Sequence, residues 1–299
     1  MSKNKKQPKK PRFKPDRSKP DADRETIEVS LLRSRKATFV VTKNLLHNLI
    51  VRDAVAINES FDLHYGSKLN DIDRLFSEAA FLFFVATRED TGLHENYKLV
   101  LTGLVNSALN TFGAAVTLLR NGMMDQSMVL IRQIIEICAT IIHIGSDPKG
   151  QAIKDFEEGK YASTTSIGQA KKAVPIIGHF WGFLSTTYVH INRLHSEIQS
   201  VRPYEADNAD VEAVLACLRM SAWVCYIAAE FAFPTAIESN RYWKRQSFEG
   251  RSAVAYDPDE DERNWAANFL SLEDVSPDDL GDEGDADPDG DNARKGMDI

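Results

Sequence analysis

From about residue 26 to 250, apolar residues recur at intervals of three and four, and the segments free of Pro and Gly run far beyond strand length. This periodicity most restricts the fold. It predicts an all-α protein, a single helical bundle of about six or seven helices flanked by disordered charged tails. Helices are expected near residues 27–56, 68–88, 95–121, 124–145, 149–161, 172–200 and 208–246. Asp90-Thr91-Gly92, Asn121-Gly122, Gly145-Ser146-Asp147-Pro148 and Arg202-Pro203 supply breaks, and Pro234 should kink or end the last helix. Leu99 to Leu119 is a run of 21 residues without a charge, long enough to cross a hydrocarbon core of about 30 Å. Thr102, Asn106 and Asn110 lie on one stripe of it, and Gly103, Ser107 and Thr111 beside them. This pattern suits close packing inside a soluble bundle, so no membrane span is expected.

The net charge of −8 conceals a division. Residues 1–24 carry ten Lys/Arg against three Asp, or +7, whereas residues 256–299 carry sixteen Asp/Glu against three Lys/Arg, or −13. The remainder, residues 25–255, is left at −2. The chain is therefore read as a basic disordered arm (1–24), a helical bundle domain (25–250) and an acidic disordered tail (251–299). The arm has four prolines and almost no apolar residues, so it cannot bury enough surface to offset its ordering entropy. Such an arm is suited to contact nucleic acid or an anionic surface by releasing counterions. Trp265, Phe269 and Leu272 stand at i, i+4, i+7, so a short helix is expected at 263–272. It would dock on this bundle or on a protein partner, or else stay unstructured. Asp285-Ala-Asp287-Pro-Asp289-Gly290 opens like a calcium-binding loop, but Gly296 stands where a bidentate Glu is needed, and no metal or cofactor is expected.

Three cysteines, Cys138, Cys217 and Cys225, sit inside apolar runs, an odd number that fits reduced thiols in a cytoplasmic protein. Against this apolar background the charged exceptions stand out. Residues 128–144 are apolar almost all round but include Arg132, Glu136 and His143, which at 100° per residue fall within about 40° of one another on a helix. Arg132 and Glu136 can pair across one turn, as a device that sets bundle register or as the floor of a site. In the 172–200 helix, Ser185 and His190 are five residues apart, about 140° round an ideal helix, which disfavours a nucleophile and base acting on one atom. Arg88 and His94 match the spacing of an Arg/His nuclease motif, but Gly92 puts them in a turn.

The stretch Leu118 to Ile144, with Gly122, Arg132 and Glu136, followed by Asp155-Phe156 and then Trp181, Ser185 and His190, resembles domain-of-unknown-function family 5677, uncharacterised bacterial helical proteins. The resemblance implies an all-helical fold and carries no reaction with it. Two functions follow from the residues. One is a non-enzymatic interaction or regulatory module whose contacts are governed by its oppositely charged tails, with homo-oligomerisation or a protein partner open to it. The alternative is a hydrolase or nuclease of the defence or toxin type. Its site would be built from Arg132 to hold a phosphate, Glu136 to orient Arg132 or to serve as the second proton carrier, Ser185 to position substrate and His190 as acid or base.

Overall fold

The structure, a computed structural model, describes residues 26–32, 37–88, 95–147, 149–190, 201–248 and 251–271. Its architecture is mainly helical, with two small antiparallel hairpins. Among the described residues, the α-helices of seven or more residues, α1–α9, are Ala54–Tyr65, Asn70–Arg88, Glu95–Arg120, Met124–Ser146, Gln151–Glu157, Ser163–Ala173, Ile176–Leu184, Ala209–Ala232 and Glu260–Leu270, and a short helical segment Leu45–His47 leads through a π-helical stretch, Asn48–Asp53, into α1. The strands are β1 Thr26–Leu32, β2 Ala37–Thr42, β3 Trp243–Phe248 and β4 Arg251–Tyr256.

The helix expected over 27–56 is the largest correction. β1 pairs with β2 from Glu28 opposite Val41 to Leu32 opposite Ala37, and helical backbone begins only at Leu45. The cause is visible in the sequence, where Ile27, Val29 and Leu31 alternate with Glu28 and Ser30 and the second strand is rich in β-branched residues. The helix expected over 208–246 stops at Ala232, because Pro234 offers no N–H to continue it, and residues 243–248 pair with 251–256 instead. Pro175 likewise divides the expected 172–200 helix, so that α6 ends at Ala173 and α7 begins at Ile176. Residues 251–271, read from the sequence as the start of a disordered tail, are strand and helix. The expected short helix is α9, opened by the Asp259 carboxylate accepting from the Glu262 N–H at 2.9 Å. The basic arm (1–24), the tail beyond Ser271 with its calcium-loop resemblance, and His94 lie outside the described residues.

The chain divides into two compact units. The first holds Met1–Tyr65, Arg120–Gly122 and Ser200–Ala206. Within it Tyr204 packs edge to face on both Phe61 and Tyr65, the Tyr65 hydroxyl donates to the Glu205 carbonyl at 2.7 Å, and the Tyr204 N–H donates to Ser60 Oγ at 2.8 Å. Gly122 has φ +81°, and a Cβ there would lie 3.0 Å from Val201 and 3.4 Å from Ile57, so both conformation and space call for glycine.

The second unit holds Gly66–Leu119, Met123–Gln199 and Asp207–Ile299. At its centre α8 packs on α4 and α2, and α8 is buried on nearly every side between Val211 and Ala232. The opposing surface of α4 supplies Ile131, Ile134, Ile135, Cys138, Ile141 and Ile142. Helices α3, α4 and α8 are long and apolar enough to cross a membrane by length and composition, and their most apolar windows are 33%, 56% and 78% buried within the structure. The core thus uses most of the apolar surface of α8 and the least of α3.

Candidate functional site

On α4, positions 132, 136, 140 and 143 recur at spacings of four, four and three, so one face of an otherwise apolar helix carries Arg132, Glu136, Thr140 and His143 in a line. Helices α6 and α7 pack against α4 and supply the facing residues. The turn after α7 is π-helical from Ser185 to Val189, which carries Ser185 on from the end of α7 into contact with Arg132.

Arg132 and Glu136 form an ion pair, Nη2 to Oε1 at 2.9 Å, with side chains 22% and 19% exposed. Arg132 Nε donates to Ser185 Oγ at 2.8 Å, and Ser185 Oγ donates in turn to the Trp181 carbonyl at 2.8 Å. Glu136 Oε1 also accepts from Trp181 Nε1 at 3.0 Å and from Ser163 Oγ at 3.4 Å. The guanidinium lies over the Trp181 ring, 5.2 Å from its centre. Every one of these bonds joins one member of the cluster to another, and Trp181 serves both charges, one through its indole N–H and the other through its π face.

The line continues with neutral groups. Thr140 Oγ1 donates to the Glu136 carbonyl at 2.8 Å and approaches Ser166 Oγ at 3.3 Å. Ser166 Oγ donates to the Tyr161 hydroxyl at 2.7 Å, which leaves the phenol proton for His143 Nδ1, also at 2.7 Å. That order requires a neutral imidazole. Burial holds the His143 pKa below its ordinary value, against the opposing pull of Asp147. Burial also raises the Tyr161 phenol.

Of the four residues singled out by the sequence, the structure brings Arg132, Glu136 and Ser185 together and leaves His190 outside. His190 is exposed at the end of the π turn, where its backbone N–H donates to the Ser185 carbonyl at 3.1 Å. None of the network's bonds reaches its ring. His143 shares the face of Arg132 and Glu136, as its spacing implied, but its partner is Tyr161. The sequence reading did not pick out Ser163, Ser166 or Tyr161, which stand in a short helix and the loop before it and follow no periodic signal. Trp181 had one, since it lies one turn before Ser185 on the same face. Among the described residues, no group of three or more His, Cys, Asp or Glu is placed to hold a metal ion.

A second charged cluster surrounds α8. Glu230 is fully buried, and its Oε1 accepts from the backbone N–H groups of Tyr242 and Trp243 at 2.7 and 2.9 Å. Burial raises its carboxyl pKa, and these N–H groups pull the other way. Nearby, Arg241 makes a bidentate pair with Glu262 of α9 at 2.8 and 2.9 Å and reaches Glu78 of α2 at 3.1 Å. The Arg241 guanidinium also lies 4.6 Å from the Trp265 ring centre and 5.1 Å from that of Tyr226. The Trp265 anchor of α9 is thereby docked on the protein's own bundle.

The model of a family of unknown function, DUF5677, matches residues 98–177, from α3 to the first residues of α7. This is the family that the sequence resembles. The matched segment contains Arg132, Glu136, Thr140, His143, Tyr161, Ser163 and Ser166. No curated protein and no solved structure matches the chain.

Proposed function

We propose that this protein is a non-enzymatic, cytoplasmic helical module with no membrane span, in which the Arg132–Glu136 network fixes the packing of α4 against α6 and α7 and the charged termini govern contacts. The observation that carries this reading is that Arg132 is held by its own cluster, through Nε to Ser185 and through Nη2 to Glu136. A site that takes a phosphate needs an arginine whose donors face outward, and here Nε and Nη2 of Arg132 point to Ser185 and Glu136. A proton-transfer site also needs its histidine within reach, and His190 stands apart. Such an ion pair acts chiefly as a register device, because its attraction is largely offset by desolvation.

The division of charge supports the second half of the proposal. A segment of +7 is suited to nucleic acid or an anionic surface, and a segment of −13 on the same chain competes for it. The test is a salt titration of RNA and DNA binding by the full chain and two truncations. Deleting residues 1–24 is expected to flatten the salt dependence, and deleting residues 273–299 to tighten binding at low salt. Unchanged slope and affinity in both truncations would overturn tail-governed contact. Arg132→Ala and His190→Ala then separate module from enzyme. The module reading expects a loss of melting temperature for the first and none for the second. Loss of a hydrolytic activity in both at unchanged melting temperature would establish the alternative.

A further inference from the structure

The two helices at the centre of the larger unit each place one cysteine at their contact. Cys138 of α4 and Cys225 of α8 are 0% and 3% exposed, and their Sγ atoms lie 3.8 Å apart. Both are free thiols. A disulfide needs about 2.05 Å between the sulfurs, so the pair is short of bonding distance by about 1.8 Å. Closing that gap requires rotation of the side chains and an adjustment of the helices. The third thiol is an internal control. Cys217 is also buried on α8, but it lies eight residues before Cys225, about 12 Å along the helix axis.

We infer that Cys138 and Cys225 form an oxidation site, a dithiol that a small hydroperoxide converts to a disulfide locking α4 to α8. The step balances with hydrogen peroxide as oxidant. One thiol, as its thiolate, attacks the peroxide and becomes a sulfenic acid while a water leaves. The second thiol attacks that sulfur, and the sulfenic oxygen departs as a second water with the remaining proton. Two electrons pass from the cysteine pair to the peroxide, and one S–S bond forms as one O–O bond breaks. Geometry makes the reaction selective, and burial makes it slow. The neighbouring Cys225 and then burial hold the Cys138 thiol in its protonated form. A small oxidant is specified because the two thiols are almost completely buried.

The cross-link joins residues 87 apart in the chain, on the two helices that carry Arg132, Glu136 and Glu230. Closing a loop of that length restricts the unfolded chain strongly, and a rise in melting temperature on the order of 10 °C is expected.

The test treats the native full-length protein with hydrogen peroxide at neutral pH. Remaining thiols are then blocked with N-ethylmaleimide under denaturing conditions, and the peptides are mapped by mass. The expected result is a peptide joining Cys138 to Cys225, a blocked Cys217, and a raised melting temperature that dithiothreitol reverses. Cys217→Ser should behave the same way, and Cys225→Ser should show no rise. If Cys225→Ser does not fold, the wild-type map decides alone. Three blocked thiols after prolonged oxidation would overturn the site, as would a linkage through Cys217 or oxidation confined to Cys217.

Discussion

Arg132 illustrates how one side chain can hold three elements together. Its fork engages a carboxylate on its own helix and a hydroxyl on the turn after α7, while its face covers an indole from α7 itself. Lysine supplies the charge but neither the fork nor the flat face. Arg132→Lys is therefore expected to cost about 1 kcal/mol, and Arg132→Ala about 2 kcal/mol, since Glu136 then keeps only the donors from Trp181 and Ser163. Urea denaturation measures both, and equal stability of all three proteins would show that the network holds nothing. His143 gives a prediction in pH. Its folded pKa is depressed, so the folded state binds fewer protons than the unfolded one. The stabilisation is complete above the ordinary value of 6.5 and is lost as pH falls from there through the folded value. In His143→Asn, this extra loss of stability below pH 6.5 should be absent, which thermal melts of both proteins across pH 5 to 8 would reveal. At this scale the sequence was partly readable. Arg132 and Glu136 stand out because charges in an apolar run need partners, whereas Tyr161 and Ser163 sit in polar segments where such residues are ordinary.

Among the elements, α9 depends on a few anchors. An isolated helix of eleven residues is marginal in water, so its persistence rests on Arg241 and on burial of Ala266 and Leu270. Arg241→Ala should bring the amides of α9 close to unprotected hydrogen-exchange rates while those of α8 remain protected. Equal protection of α9 in both proteins would show that apolar docking suffices. At the junction of α8 and β3, Glu230 has a folded pKa above its ordinary 4.5. The folded state therefore binds that proton more tightly, and the stability it contributes is present below 4.5 and lost as pH rises through the folded value. Glu230→Gln keeps an oxygen for the Tyr242 and Trp243 N–H groups without the charge. Its stability relative to the wild type should rise across that pH window, and parallel curves would contradict the assignment. Elements were legible wherever one periodicity held over many residues, as in α3, α4 and α8. They were misread at β1 and β2, where seven- and six-residue strands precede a long helix and their alternation is short enough to be absorbed into its pattern.

For the whole molecule, the telling contrast is between composition and placement. Three helices are long and apolar enough to cross a membrane, yet α8 has 78% of its most apolar window buried against its neighbours, and α3 only 33%. Apolar length alone does not distinguish a buried helix from one with a free face. Gly122→Ala tests how far the smaller unit depends on one turn. A left-handed residue hemmed in by Val201 and Ile57 should lose at least about 1 kcal/mol on gaining a Cβ, and a melting temperature unchanged by the substitution would exclude strain there.

The sequence by itself determined the helical class, the charge division and the Arg132–Glu136 pair. Each is a local or additive property of the chain: a period, a sum, and a spacing of one turn. Tertiary structure alone decided that Ser185 joins that pair and His190 does not, and that Trp265 docks on Arg241. It also set Cys138 against Cys225. These contacts join residues tens of positions apart, and they depend on how helices cross and where a helix loosens into a π turn, which no periodicity encodes.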